Sequence, residues 1–220
     1  MHQEISGLCV ITDTTTQKRY THLQLAELAM RGGASIIQLR DKHLSAKELF
    51  ALAVAMRTLT MSFGRLFIVN DRADIALAAD ADGVHLGQTD LPIPAARKIL
   101  GKGKIIGATA STLEEAVAAQ QQGSDYIGFG HIFPTSSKEK PTPARGVAAL
   151  QEVVAAVKIP VMAIGGITLE NAASVLKTGV QSLAVISAVS TAESPQEASA
   201  KLAALIKTYT ELHKVHRKDS

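Results

Sequence analysis

The sequence predicts an α/β protein, a single (β/α)8 TIM barrel. Short β-branched runs alternate with longer amphipathic stretches along the chain, and eight such pairs can be counted. Several of the short runs are nearly continuous in apolar residues, as strands covered on both faces should be. No glycine-rich dinucleotide fingerprint follows the first strand, where Thr12-Asp13-Thr14-Thr15 stands, and this disfavours an open doubly wound sheet.

Strands are expected at 8–12, 35–39, 66–69, 83–86, 104–106, 126–129, 161–164 and 182–186. Helix starts are marked by capping-box spacing at Thr21/Gln24, Ser45/Glu48, Thr112/Glu115 and Ser194/Glu197, the last with Pro195 at the first helical position. Helix ends are marked by Arg31-Gly32-Gly33, Gln122-Gly123 and Thr178-Gly179, where glycine can take the left-handed conformation. One domain is expected over 1–220, with its core at about 7–209 and a basic tail at 210–220. The longest irregular connection, 131–146, follows the sixth strand and is a candidate lid.

The composition narrows the function classes. Of 220 residues, 46% are hydrophobic and 20% charged, an ordinary globular balance. A net charge of +3, scattered along the chain, is too weak a footprint for nucleic acid. No run approaches the ~20 apolar residues that span a bilayer, and no secretory leader is visible, so a cytoplasmic protein is expected. The one cysteine, Cys9, lies in the apolar run Leu8-Cys9-Val10-Ile11 and reads as a buried strand residue rather than a nucleophile. The expected partners are small molecules, with homo-oligomerisation left open.

In such a barrel the active site lies at the carboxyl ends of the strands. After the second strand, Gln38 and Arg40 point the same way while Leu39 faces the other layer, and Lys42 follows; this cationic pair suits a diphosphate. A rim salt bridge from Arg40 to an acid explains the same residues equally well. Asn70-Asp71 and Gly87-Gln88-Thr89-Asp90 end neighbouring strands, so Asp71 and Asp90 can face one Mg²⁺, an ion that needs only one or two carboxylates beside phosphate and water. Taken alone, Asp90 reads more simply as an N-cap ahead of Pro92 and Pro94. Asp74 and Asp82 belong to the outer layer and to the wrong end of the barrel. Gly165-Gly166 after the seventh strand and Ile186-Ser187 after the eighth form a candidate phosphate site at the C-terminal face. The 131–138 segment adds His131, Thr135, Ser136, Ser137 and Lys138; His131 fits a proton shuttle and a backbone-bonded strand end equally. His85 reads as a pocket or core residue, since no partner at ligand spacing accompanies it.

Taken together, Gln38-Leu39-Arg40-Asp41-Lys42, Asn70-Asp71, Gly87-Gln88-Thr89-Asp90, Phe133-Pro134-Thr135-Ser136-Ser137-Lys138, Gly165-Gly166-Ile167-Thr168 and Ile186-Ser187 resemble the thiamine phosphate synthases in order and spacing, over nearly the whole chain. The resemblance implies that Gln38, Arg40, Lys42, Asn70, Thr109 and Lys138 hold a pyrimidine diphosphate, and that Asp71 and Asp90 bind Mg²⁺. It also implies that Thr135, Ser136, Ser137, Gly166, Ile186 and Ser187 hold a thiazole phosphate. Arg40, Lys42, Lys138 and His131 are the catalytic candidates. The implied reaction is dissociative loss of diphosphate followed by attack of the thiazole nitrogen. Thr109 departs from the serine more common in that family, though it keeps the hydroxyl. Two rivals are a thiazole tautomerase on the same barrel, which needs neither acidic pair nor diphosphate site, and a non-catalytic sensor of a thiamine-pathway phosphate.

Overall fold

A computed structural model describes residues 5–135 and 143–216, with side chains to 213. The strands are β1 (Gly7–Thr12), β2 (Ile36–Leu39), β3 (Leu66–Asn70), β4 (Gly83–Leu86), β5 (Ile105–Ala110), β6 (Tyr126–Gly130), β7 (Val161–Ile164) and β8 (Ser182–Val185). The helices are α1 (His22–Arg31), α2 (Ala46–Ser62), α3 (Ala73–Ala78), α4 (Ile93–Leu100), α5 (Leu113–Gln121), α6 (Gly146–Ala156), α7 (Leu169–Leu176), α8 (Ser187–Ser190) and α9 (Pro195–His216). All eight strands are parallel and pair in sequence order, and β8 returns to β1 to close the barrel.

Closure splits each strand into two sets of side chains, because successive residues point to opposite faces. Leu8, Val10, Ile37, Leu39, Phe67 and Val69 face outward into the layer shared with the helices. Cys9, Ile11, Ile36, Leu66, Ile68, Ile105, Tyr126 and Met162 fill the barrel itself. Burial pushes the Cys9 thiol up to about 12, which leaves it protonated and unreactive, as its apolar setting suggested.

The capping boxes at Thr21/Gln24 and Ser45/Glu48 form on both arms. At Thr112 only one arm forms: Thr112 accepts from the Glu115 N–H, while the Glu115 carboxylate accepts from Ser111 N–H instead. Strand β5 is longer than expected, because its small residues Gly107, Ala108 and Ala110 resemble a turn in sequence but pair with β4 and β6. The tail expected from residue 210 is helical as far as His216: α9 continues, and His213 Nε2 lies 3.0 Å from the Leu176 carbonyl at the end of α7. Residues 217–220 lie outside the described residues. Asp82 works at the amino-terminal end of the barrel, accepting from Phe67 N–H and from Arg57, each at 2.8 Å. Asp74 pairs with Arg72 on the outside. No described helix is long and apolar enough to cross a membrane.

Glycine creates room inside the barrel at two places. A Cβ on Gly107 would stand 2.1 Å from the Tyr126 ring, and one on Gly128 would stand 2.7 Å from the His85 ring. Gly107→Ala is therefore expected to destabilise the fold by about 1–3 kcal/mol through overpacking. Urea denaturation read as the shift in midpoint checks it; an unchanged midpoint means that Tyr126 can move aside.

Candidate active site

A cavity opens at the carboxyl ends of the strands, lined by the inward set of the alternation and by the loops that follow it. Its wall on the β2–β3 side carries Gln38, Arg40, Asn70 and Asp71; Thr109 lies beyond His85, and His131, Thr135, Gly166, Ile186 and Ser187 complete the opposite side. Ser136, Ser137 and Lys138 lie outside the described residues.

The cationic arm is built by β2 and its neighbours. Arg40 N–H bonds to the Thr12 carbonyl at 3.1 Å, so the β1–β2 ladder runs to the rim. There the Arg40 guanidinium meets the Asp13 carboxylate, and Lys42 meets Asp71. The rim salt bridge considered for Arg40 is thus present, and Arg40 lines the cavity as well. Between the two cations, Asp41 turns away from the cavity and ties down its own loop. Its Oδ1 accepts from His43 and Leu44 N–H at 2.7 and 2.9 Å. Its Oδ2 accepts from Thr14 Oγ1 at 3.1 Å and lies 3.2 Å from His22 Nε2. Burial acts to raise the Asp41 pKa, but these two N–H donors, with His22 and Thr14, outweigh it and hold the carboxyl down at about 2.

The acidic pair sits beside this arm. Asp71 adopts a left-handed φ of 66°, rare for a residue with a side chain, and its N–H bonds to the His85 carbonyl at 2.8 Å. Asp90 is not an N-cap: α4 starts after Pro92 with no side-chain cap, and Asp90 Oδ2 accepts the Gly87 N–H at 2.7 Å, which turns the carboxyl back towards Asp71. Burial, and then the hydrogen-bonded Asp71 carboxyl, raise the Asp90 pKa; Gly87 N–H and Lys42 act the other way. Two carboxyls pressed together with one raised pKa are the donor set that a hard cation satisfies. No group of three or more acidic, histidine or cysteine residues able to hold a metal ion exists among the described residues.

The floor of the cavity is a hydrogen-bonded row that the sequence did not reveal. Gln38 bonds to the hydroxyl of Tyr126, which burial places well above its ordinary pKa. Tyr126 OH lies 3.0 Å from His85 Nδ1, and His85 Nε2 lies 2.9 Å from Thr109 Oγ1. Two of the expected substrate contacts, Gln38 and Thr109, are thereby linked through Tyr126 and His85. The row follows from strand register, since His85 pairs with Gly107 and Gly107 pairs with Tyr126.

On the opposite side the loop after β6 lies on the glycines after β7. Ile132 and Phe133 N–H bond to the Ile164 and Gly165 carbonyls, each at 3.0 Å. A Cβ on Gly165 would stand 2.3 Å from His131, and one on Gly166 would stand 2.5 Å from the Pro134 carbonyl. Both glycines have positive φ, so contact and conformation each demand the missing side chain. His131 is thereby buried against the cavity. Asn171 Nδ2 braces the Gly166 carbonyl at 2.9 Å, and the four-residue α8 begins at Ser187.

Comparison with known proteins bears on this arrangement. The family model described as thiamine monophosphate synthase matches residues 8–189. The chain belongs to the thiamine monophosphate synthase family. A thiamine-phosphate synthase of Chlorobium luteolum is 54% identical over 201 residues, covering 91% of this chain and 93% of that one. One from Methanoculleus marisnigri is 50% identical over 182 residues, covering 83% and 86%. Among solved structures, a thiamine phosphate pyrophosphorylase from Pyrococcus furiosus superposes with a TM-score of 0.85 at 42% identity, covering 92% of this chain and 96% of that one. As a member of this thiamine monophosphate synthase family the chain is an enzyme, a transferase of thiamine biosynthesis.

The hydrogen bonds around Asp41 carry a pH signature. Its folded pKa lies below the unfolded value near 3.9, so its contribution to stability is complete above that pH and disappears as the pH falls towards about 2. Asp41→Asn is expected to unfold at lower urea than the native chain at pH 7, with the gap narrowing as the pH falls from about 4 to about 2. A gap independent of pH would assign the effect to shape rather than charge.

Proposed function

We propose that the chain joins hydroxymethylpyrimidine diphosphate to hydroxyethylthiazole phosphate, giving thiamine phosphate and diphosphate, in the cytoplasm and as a single barrel unit. The observation that carries the reading is the juxtaposition at one rim of Arg40, Lys42 and the Asp71–Asp90 pair, which suits a diphosphate held with a cation. Asp71 and Asp90 would hold Mg²⁺, which supplies charge neutralisation to the leaving diphosphate.

The protein's own part is binding, alignment and exclusion of water. Arg40 and Lys42 grip the diphosphate, with Lys138 assigned to the same task by resemblance. Gln38, Asn70 and Thr109 orient the pyrimidine half, and the row through Tyr126 and His85 stiffens Gln38 and Thr109. The C–O bond to the diphosphate breaks first, leaving a pyrimidine methyl cation. The thiazole nitrogen then donates its electron pair to that carbon. Gly166, Ile186 and Ser187, with Thr135, Ser136 and Ser137, form the proposed thiazole phosphate site. His131, buried on that side of the cavity, would serve as a proton shuttle in the tautomerase reading, since the coupling as written moves no proton.

The test is a two-substrate assay that follows thiamine phosphate and released diphosphate with and without Mg²⁺. Both products should form only with metal, and Asp71→Asn should lower kcat by at least about a hundredfold with the fold intact. Asparagine is preferred to alanine because it tolerates the left-handed backbone at this position. Metal-independent coupling, or full activity of the variant, would refute the Mg²⁺ assignment. No coupling by the folded native chain would favour a thiazole tautomerase centred on His131.

A further inference from the structure

Asp13 directly follows β1 at the mouth of the barrel, only 1% exposed. A buried carboxylate requires compensation, and every oxygen of this one is engaged. Oδ2 takes the Arg40 guanidinium; Oδ1 takes the Thr15 N–H at 2.8 Å and the Thr15 hydroxyl. Asp13 is absent from the wall of the cavity, whereas Arg40 is part of it. The carboxylate is therefore occupied in holding Arg40.

We infer that Asp13 is a positioning residue, which presets the Arg40 guanidinium for an anionic substrate. This role of Asp13 rests on the one proposed above for Arg40. An unrestrained arginine side chain loses rotamer entropy when it engages a ligand. The Asp13 carboxylate on one side, and β1–β2 pairing that continues to Arg40 N–H, remove that freedom during folding rather than at binding. One nitrogen of the guanidinium, Nη1, is committed to Asp13, and the planar fork then fixes where its other donors lie. The arrangement offsets part of the Arg40 charge, so the benefit of Asp13 is orientation and not attraction. The same β1 loop reaches the next residue too, since Thr14 bonds to Asp41. Arg40 is thus held from one side by Asp13 and through its own loop by Asp41.

The experiment is a double-mutant cycle on the native chain, reading kcat and KM for the pyrimidine diphosphate and the affinity for inorganic diphosphate with Mg²⁺. Asp13→Asn keeps the shape and removes the charge that orients Arg40. It is expected to lower kcat/KM for the pyrimidine diphosphate about tenfold or more and to weaken diphosphate binding, with KM for the thiazole phosphate unchanged. In an Arg40→Gln background the same substitution should cost nothing further. Thr15→Val, at an exposed position, removes one donor to Asp13 and should show a smaller loss that also vanishes in Arg40→Gln; it serves if Asp13→Asn does not fold. Equal losses in both backgrounds would make Asp13 a purely structural residue and overturn the inference. Full activity of Asp13→Asn beside an impaired Arg40→Gln would overturn it too, leaving the role of Arg40 standing. Full activity of Arg40→Gln would instead remove the role of Arg40, and that of Asp13 with it.

Discussion

The pairing of β8 with β1 is the constraint on which the rest of this structure depends. A parallel sheet left open would expose two edges and give its strands no common interior. Closure creates that interior, and the two-residue period of each strand then sorts side chains into an apolar outer layer and an inner column. Low in the column the residues are Cys9, Ile36, Leu66 and Ile105; at its carboxyl end they become Gln38, Arg40, Asn70 and Thr109. One geometric rule thus provides both the core and the wall of the cavity.

The polar end of the column is arranged in pairs and rows instead of isolated groups. Arg40 has Asp13, Lys42 has Asp71, Asp71 has Asp90, and Gln38 is linked through Tyr126 and His85 to Thr109. Side chains so engaged lose little freedom when a ligand arrives, and a reaction that depends on alignment and charge neutralisation gains most from such order. The Asp71–Asp90 contact differs from the others, because it places two carboxyls together and, after burial, is what raises the Asp90 pKa. Among these contacts it is the one that a bound cation would relieve.

Much of the fold was legible along the chain. The eight β-α units, two complete capping boxes and the glycine helix ends follow from local patterns of period, donor spacing and backbone freedom. Strand β5 is longer than its sequence suggests because alanine and glycine carry no β signal; its ladder is imposed by β4 and β6 on either side. The helical continuation through 210–216 is not legible in sequence because charge near a terminus resembles a solvated tail. Most expected site residues come together around the cavity, since position after a strand is readable in sequence.

The sequence by itself determined the barrel, the end at which its cavity opens, and which residues carry charge there, because these depend on periodicity and chain order. Only the tertiary structure decided how those residues are partnered. Asp13 and Arg40 are 27 positions apart, and His85 and Tyr126 are 41 apart. No local pattern distinguishes Asp13, held against Arg40, from Asp41, turned into its own loop, or identifies Asp90 as a partner of Asp71 rather than a helix cap. The physical reason is that a hydrogen bond or an ion pair requires an approach of about 3 Å, and strand register across the closed barrel sets which side chains achieve it.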